Sequence, residues 1–252
     1  IVAFRGSENM AEFTNMDHDW IKADFALLVS IETIQQGEIE KFLQQMIEEK
    51  KLDKYTSIAS TGHSLGGNCS DHFTILTAKY GISDKITQSV SFDGPGFSNE
   101  YVEENKEAIE KVAGKMVHYR WSLISSCLQD LPGIEQTFLG INEELHQDSF
   151  WDNFFYKLIV RHDTASLVFD ENGKAKRGEQ DPASKFISTS TKGLDHMPST
   201  VGNAIYTGLG GIILAGSWSA ENMFNEEGNL TTFGKGLIAG AVSTVAVVGV
   251  DK

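Results

Sequence analysis

The strongest chemical signal in the sequence is a serine between glycines, in the run GHSLGG at residues 62–67. The run fits the pattern Gly-x-Ser-x-Gly, in which a sharp turn between a strand and a helix exposes a serine hydroxyl. Residues 55–60 predict the strand and residues 68–80 predict the helix, so the context agrees with the pattern. We therefore expect Ser64 to be the nucleophile of an acyl transfer. The competing interpretation is a tight turn that contains an incidental serine.

The helix that follows the serine predicts part of an oxyanion hole. The first N–H groups of a helix have no partner inside it, and the helix dipole favours negative charge at that end. We expect the backbone N–H of Leu65 to stabilise the oxyanion that forms when Ser64 attacks a carbonyl carbon. The second donor of such a site normally comes from a loop after an earlier strand.

A serine hydroxyl needs a base that accepts its proton. The chain has seven histidines, at positions 18, 63, 72, 118, 146, 162 and 196. His162 follows the last clear strand of the predicted sheet and fits the order serine, acid, histidine, so we expect it to be the base. His146 is the alternative. We expect His63 to point away from the serine, and His72 to be structural.

An acid must hold the histidine in the correct tautomer and stabilise its charged form. Asp93 ends the predicted strand 86–92 and is our first candidate. Asp130 is the alternative acid. The competing interpretation of Asp93 is a turn residue that bonds its own backbone near Gly94 and Gly96.

Apolar periodicity predicts strands that alternate with helices, which indicates an α/β fold with a mainly parallel sheet. The expected strands are 1–4 (buried), 55–60, 86–92, 116–121, 158–160 and 166–169, and the expected helices are 25–54, 68–80 and 99–115. Residues 122–155 are rich in large apolar side chains. They predict a lid or an acyl-chain wall, or alternatively a helical cap packed on the core.

Several runs resemble known hydrolases. The run Phe4-Arg5-Gly6-Ser7, followed by Trp20 and Asp24, resembles the F-R-G-[ST] … D-W-x-x-D element of class 3 (fungal-type) triacylglycerol lipases. The run SFDGPGF at 91–97 and the triplet Arg161-His162-Asp163 resemble a bacterial lipase-like branch with D-G-P-G-F and Q-H-D. The spacing from Ser7 to Trp20 is longer than in the fungal enzymes, and arginine stands in place of the glutamine.

The resemblance covers about residues 1–170 and implies an α/β-hydrolase fold. It implies that Ser7 supplies the second oxyanion donor and that the substrate is a lipid ester. Lipase-like hydrolases carry the acid after either of two strands; Asp93 is at the first place, and Ser122 is at the second. Because the chain begins at what would be a middle strand, we expect the N-terminal strands of that fold to be missing.

Composition limits the range of partners. Lys and Arg number 21 against 35 Asp and Glu, which gives a net charge of −14. This charge argues against nucleic acid and against electrostatic docking on anionic lipid, because both need a basic face. Cys69 and Cys127 have no spacing typical of a zinc site, and we expect both to be small buried apolar side chains. A single disulfide between them is an open alternative. We expect neither a cofactor nor a metal.

The C-terminal part differs in composition from the rest. Ten of the 24 glycines fall within residues 201–250, which hold only four charged residues. The apolar runs Ala204–Gly216 and Gly236–Val250 are shorter than the ~20 residues of a membrane-spanning helix. We expect a hydrolase domain at 1–185 and a Gly-rich helical segment at 186–252 that packs closely or lies at an interface, such as a membrane surface. Ordinary core helices are the alternative interpretation of its apolar runs.

Three functions are compatible with the sequence. The first is a lipase or phospholipase. The second is a secreted bacterial toxin with the same chemistry, delivered to the cell envelope and held inactive by an immunity or chaperone protein. The third is an esterase for small esters. A catalytically inactive scaffold is the alternative to all three.

Overall fold

The computed structural model describes residues 1–6, 34–122, 124–126, 128–142 and 161–180, with short pieces at 184–185, 188–189 and 192–193. Apart from Gly193, these residues belong to the first of two units into which the chain divides, Ile1–Lys192 and Gly193–Lys252. The predicted boundary between residues 185 and 186 stays a prediction. Almost all of the predicted Gly-rich segment lies outside the described residues.

Among the described residues, five parallel strands form one sheet, in the same order as in the sequence. They are β1 (Val2–Phe4), β2 (Ile58–His63), β3 (Ile86–Phe92), β4 (Met116–Arg120) and β5 (Glu135–Phe138). The prediction of an α/β fold with a parallel sheet is confirmed. Because all five strands run in one direction, their carboxyl ends meet at a single edge, and the residues that follow them are brought together there.

In the part of the chain that the structure describes, four α-helices accompany the sheet: α1 (Ile34–Glu48), α2 (Leu65–Lys79), α3 (Asn99–Glu104) and α4 (Lys106–Val112). Helix α2 lies between two apolar clusters. Its Phe73 packs with Leu43 and Ile86 in the first cluster, and its Ile75 packs with Ile109 in the second. This burial on several sides fixes the position of α2, and with it the turn that precedes the helix.

The predicted helix 99–115 is in fact two short helices that meet at Asn105. The side-chain amide of Asn105 donates to the carbonyl oxygen of Tyr101 at 2.7 Å. Asn side chains compete in this way with the backbone bonds of a helix, which explains why the helix ends here. The Ser98 hydroxyl accepts from the N–H of Tyr101 and so caps the start of α3.

Three other sequence predictions need correction. Strand β1 is not buried, since Ala3 is exposed. Strand β5 lies inside 122–155, so residues 135–138 are part of the sheet and not of a lid or cap. Residues Thr164–Ser166 form a 3₁₀ turn, and the predicted strand 166–169 is reduced to single bridges from Leu167 to Ile141 and from Phe169 to Ala175. The predicted strand 158–160 lies outside the described residues.

Candidate active site

Ser64 occupies a strained turn between β2 and α2. Its backbone has φ 59° and ψ −133°, a region that residues with a Cβ rarely adopt. The turn is held on both sides, because the Ser64 N–H donates to the carbonyl of Phe92 at 2.9 Å and the Ser64 carbonyl accepts from Gly67 at 2.8 Å. Such strain persists only where the surroundings enforce it, and it is common at functional sites.

The glycines of the turn allow close backbone approach. A Cβ at Gly62 would lie 2.1 Å from the carbonyl oxygen of Gly66, and a Cβ at Gly66 would lie 2.3 Å from the carbonyl oxygen of Phe4. A Cβ at Gly67 would lie 2.6 Å from the Ser91 hydroxyl. Strand β1, the turn and the start of α2 are therefore in direct backbone contact, which larger residues would prevent.

Gly66→Ala is expected to lower the free energy of unfolding by about 1–3 kcal/mol, because the added Cβ must displace the backbone of β1. Gly37→Ala in α1 is the matched control, since a Cβ there meets nothing within 4 Å. Replacing that helical glycine should raise the stability by roughly 0.5–1 kcal/mol. Urea unfolding of both variants measures their free energies of unfolding. Equal effects of the two substitutions would contradict the close approach of Gly66 to the backbone of β1.

The three residues predicted as nucleophile, acid and base are in direct contact. His162 Nε2 lies 2.7 Å from Ser64 Oγ, and His162 Nδ1 lies 2.7 Å from Asp93 Oδ2. All three are buried, with exposed fractions of 5 % for Ser64, 0 % for Asp93 and 8 % for His162. The arrangement can move a proton from the serine hydroxyl to the imidazole while a carboxylate faces the opposite ring nitrogen.

The Asp93 carboxylate is held by the chain that follows β4. Its Oδ1 accepts from the backbone N–H groups of Trp121 at 2.8 Å and Ser122 at 3.0 Å. Burial opposes ionisation, but the hydrogen bond and the charge of His162, with hydrogen bonds from Ser122 and Ser125, lower the pKa of Asp93 below its ordinary value. The carboxylate is therefore ionised at neutral pH, as a partner of a charged imidazole must be.

Asp130, the alternative acid, lies in a different network. Its Oδ1 bonds Arg120 Nη1 at 2.5 Å and its Oδ2 bonds Lys192 Nζ at 2.6 Å. Burial opposes ionisation here too, but the two cations lower the pKa of Asp130. Because both of its oxygens bond cations, the geometry favours Asp93 over Asp130 as the partner of His162.

The predicted oxyanion donors are described only in part. Leu65 is the first residue of α2, so its N–H is among those that a helix leaves without an internal partner. Ser7 lies outside the described residues. Its neighbour Gly6 lies against the turn, where an added Cβ would be 2.5 Å from the carbonyl oxygen of His63 and 3.3 Å from Ser64 Cβ.

The His63 side chain lies against the base of the site. Its ring stacks on that of His162, with centroids 4.7 Å apart, and on that of Trp121, with centroids 5.7 Å apart. The prediction that His63 points away from the site is therefore wrong. The position of a side chain beside a turn depends on residues from distant strands, and the local pattern contains no signal for Trp121 as a neighbour.

The other described histidines are structural. His72 Nδ1 lies 2.6 Å from the Tyr101 hydroxyl, and burial, aided by the charge of Lys79, lowers the pKa of His72 to about 4. His118 Nε2 lies 2.9 Å from an Asp71 carboxylate oxygen. His18, the alternative base His146, and His196 lie outside the described residues.

Cys69 is a free, buried thiol. Burial, with a smaller effect of Asp71, raises the pKa of Cys69 to about 12, so it behaves as a small apolar side chain. Cys127 lies outside the described residues. Among the residues that the structure describes, no cluster of His, Cys, Asp and Glu could ligate a metal ion. The same part of the chain contains no helix of the length and hydropathy that crossing a membrane requires.

A family model described as Mbeg1-like matches residues 1–129, about half of the chain. No curated protein and no solved structure matches. The matched residues include Ser64 and Asp93, whereas His162 lies beyond them.

Proposed function

The chain belongs to the Mbeg1-like family, and we propose that it is a serine-dependent hydrolase of carboxylic esters. The observation that carries this proposal is the unbroken series of hydrogen bonds from Ser64 through His162 to Asp93. A buried serine, imidazole and ionised carboxylate in this order form the constellation that activates a hydroxyl for attack on a carbonyl carbon.

The reaction proceeds in two halves. Ser64 Oγ attacks the ester carbonyl carbon while His162 Nε2 takes the hydroxyl proton, and the carbonyl electron pair moves onto oxygen. The N–H of Leu65, together with Ser7, stabilises that oxyanion. Collapse of the intermediate expels the alcohol, which takes the proton from His162. Water then attacks the acyl-serine by the same steps and releases the carboxylic acid.

We further propose the α/β-hydrolase fold for this sheet and helix arrangement. Supporting it are the parallel sheet, a serine between a strand and a helix at the carboxyl edge, and the chain order Ser64, Asp93, His162. A fold alone does not identify a substrate, so the proposed reaction rests on the residues of the site and not on the sheet.

The substrate class that we propose is a lipid ester. Its support is the apolar composition of residues 122–155 outside strand β5 and of residues 201–250, which favours contact with acyl chains or a lipid surface. A panel of p-nitrophenyl butyrate, tributyrin, long-chain triacylglycerol and phosphatidylglycerol separates the alternatives. Hydrolysis of the long-chain lipids supports a lipase or phospholipase, and cleavage restricted to p-nitrophenyl butyrate supports a small-ester esterase.

A fluorophosphonate probe tests the nucleophile directly. We expect the folded protein to be labelled in one position, with the adduct on the peptide that contains Ser64 by mass spectrometry, because such probes react only with activated serines. Ser57→Ala is the matched control, since Ser57 is exposed and lies just before the first residue of β2, whereas Ser64 follows the last. Labelling should persist in that variant and vanish in Ser64→Ala. An unlabelled wild-type protein, or an adduct on another serine, would refute the proposal.

A further inference from the structure

On the basis of the proposed function, we propose that His63 is a positioning residue that fixes the base His162 between Ser64 and Asp93. His63 precedes the nucleophile by one residue, and so the same turn would place both the nucleophile and a support for its base. The inference adds a residue to the site that takes no part in proton transfer.

Two kinds of contact join His63 to His162. The rings are stacked at 4.7 Å with an interplanar angle of 28°. In addition, His63 Nε2 lies 3.0 Å from the backbone carbonyl oxygen of His162. One residue therefore contacts both the ring and the backbone of the base, and this limits both translation and tilting of the imidazole.

Trp121 restrains His63 in turn. The two rings are nearly parallel, with an interplanar angle of 8° and centroids 5.7 Å apart. Trp121 is itself 5 % exposed, and its backbone N–H donates to Asp93. The residue that supports His63 thus also holds the acid, which couples the positions of acid and base.

The hydrogen bond identifies the proton on His63. A carbonyl oxygen only accepts, so Nε2 of His63 must carry a hydrogen. Burial, followed by the charge of His162, lowers the pKa of His63, although the hydrogen bond to the His162 carbonyl and the charges of Asp93 and Asp163 oppose this shift. His63 is therefore a neutral ring at neutral pH, which places no second positive charge against His162 when that residue becomes protonated during catalysis.

Accurate placement of the base matters because a misplacement of about 1 Å can cost roughly 10²-fold in rate. His162 sits in a short loop whose internal bonds run from Ser166 to the carbonyls of Arg161 and Asp163. The contact from His63 joins this loop to the nucleophile turn. Without it, the placement of the imidazole against Ser64 would rest on this loop and on the contacts that Asp93 and Ser122 make at Nδ1.

Matched substitutions at position 63 test the inference. Glutamine places its amide nitrogen at the distance from the backbone that His63 Nε2 has, whereas asparagine is one bond too short. We expect His63→Asn to lower kcat for p-nitrophenyl butyrate about 10- to 100-fold with KM unchanged. His63→Gln should lose much less activity than His63→Asn. His63→Phe, which keeps the ring but not the donor, should lie between the two.

Imidazole NMR of the ¹⁵N-histidine-labelled full chain supplies a readout that needs no activity. We expect a strongly deshielded resonance from the proton on His162 Nδ1. The resonance should disappear in Asp93→Asn, remain in His63→Gln, and shift or broaden in His63→Asn. Equal kcat and equal spectra for the Gln and Asn variants would overturn the positioning role. If the spectra behave as expected but the wild type cleaves no ester and takes no probe, the inference stands and the proposed function fails.

Discussion

Ser64→Ala is expected to lower kcat for ester hydrolysis by about 10⁶-fold, the loss measured when the nucleophile of a serine protease triad is removed. The reason is that Oγ of Ser64 is the atom that His162 Nε2 contacts at 2.7 Å, and the hydroxyl has no substitute in alanine. Initial rates with p-nitrophenyl butyrate measure the effect. The variant should still hydrolyse the ester about 10³-fold faster than the uncatalysed reaction in water, because oxyanion stabilisation and substrate binding do not need the hydroxyl.

The variant should remain folded, which makes the loss interpretable. Alanine meets the same backbone strain as serine at φ 59°, and the hydrogen bonds that hold the turn are made by backbone atoms. Unfolding midpoints of wild type, Ser64→Ala and the control Ser57→Ala should therefore agree closely. Retention of a tenth or more of the activity in folded Ser64→Ala would mean that another group is the nucleophile.

The parts of the site that the sequence predicts are those that depend on local structure. Gly62 is needed because an added Cβ would meet the carbonyl oxygen of Gly66 four residues later, a limit that is set within the turn itself. Asp93 could be predicted because a carboxylate at the end of a parallel strand must lie at the same edge as the serine. His162 could be predicted from the order of the chain.

The parts that the sequence does not predict depend on contacts between distant residues. The stack of Trp121, His63 and His162 combines three segments of the chain. Strand β5 has the sequence EQTF, which is too polar and short to indicate a strand, and its pairing with β4 stabilises it. The break at Asn105 depends on one side-chain bond to a backbone carbonyl, a choice that helical periodicity does not reveal.

Both non-glycine residues with positive φ in the site lie directly after strands. Ser64 follows β2 with φ 59°, and Asp93 follows β3 with φ 52°. The Asp93 N–H donates to the carbonyl of Tyr119 at 2.7 Å, just as the Ser64 N–H donates to that of Phe92. Each strained residue thus extends the hydrogen bonding of the sheet by one step before the chain turns. The sheet itself supplies the restraint that keeps the two side chains facing His162.

Asp93→Asn is expected to lower kcat about 10⁴-fold, by analogy with the same change in a serine protease triad. The structure supplies the reason. Asp93 Oδ1 accepts from the N–H groups of Trp121 and Ser122, so the asparagine oxygen must occupy that position and its NH₂ must face His162 Nδ1. His162 Nδ1 must then accept a hydrogen bond from the asparagine NH₂, so the ring proton moves to Nε2. A protonated Nε2 can no longer take the proton of Ser64.

Two companion variants show whether the lost function is the carboxylate at Nδ1. Asp130→Asn should keep nearly full activity, because Asp130 bonds Arg120 and Lys192 and does not contact the base. Ser122 Oγ lies 3.1 Å from His162 Nδ1, so adding Ser122→Asp to Asp93→Asn should recover about 10- to 100-fold of the lost kcat by restoring an acceptor for the Nδ1 proton. A large loss in Asp130→Asn with little loss in Asp93→Asn would reverse the assignment of the acid. The double variant could instead stay as slow as Asp93→Asn while its unfolding midpoint is preserved. In that case a carboxylate activates His162 only from the position after β3, and the direction from which it reaches Nδ1 matters as much as its charge.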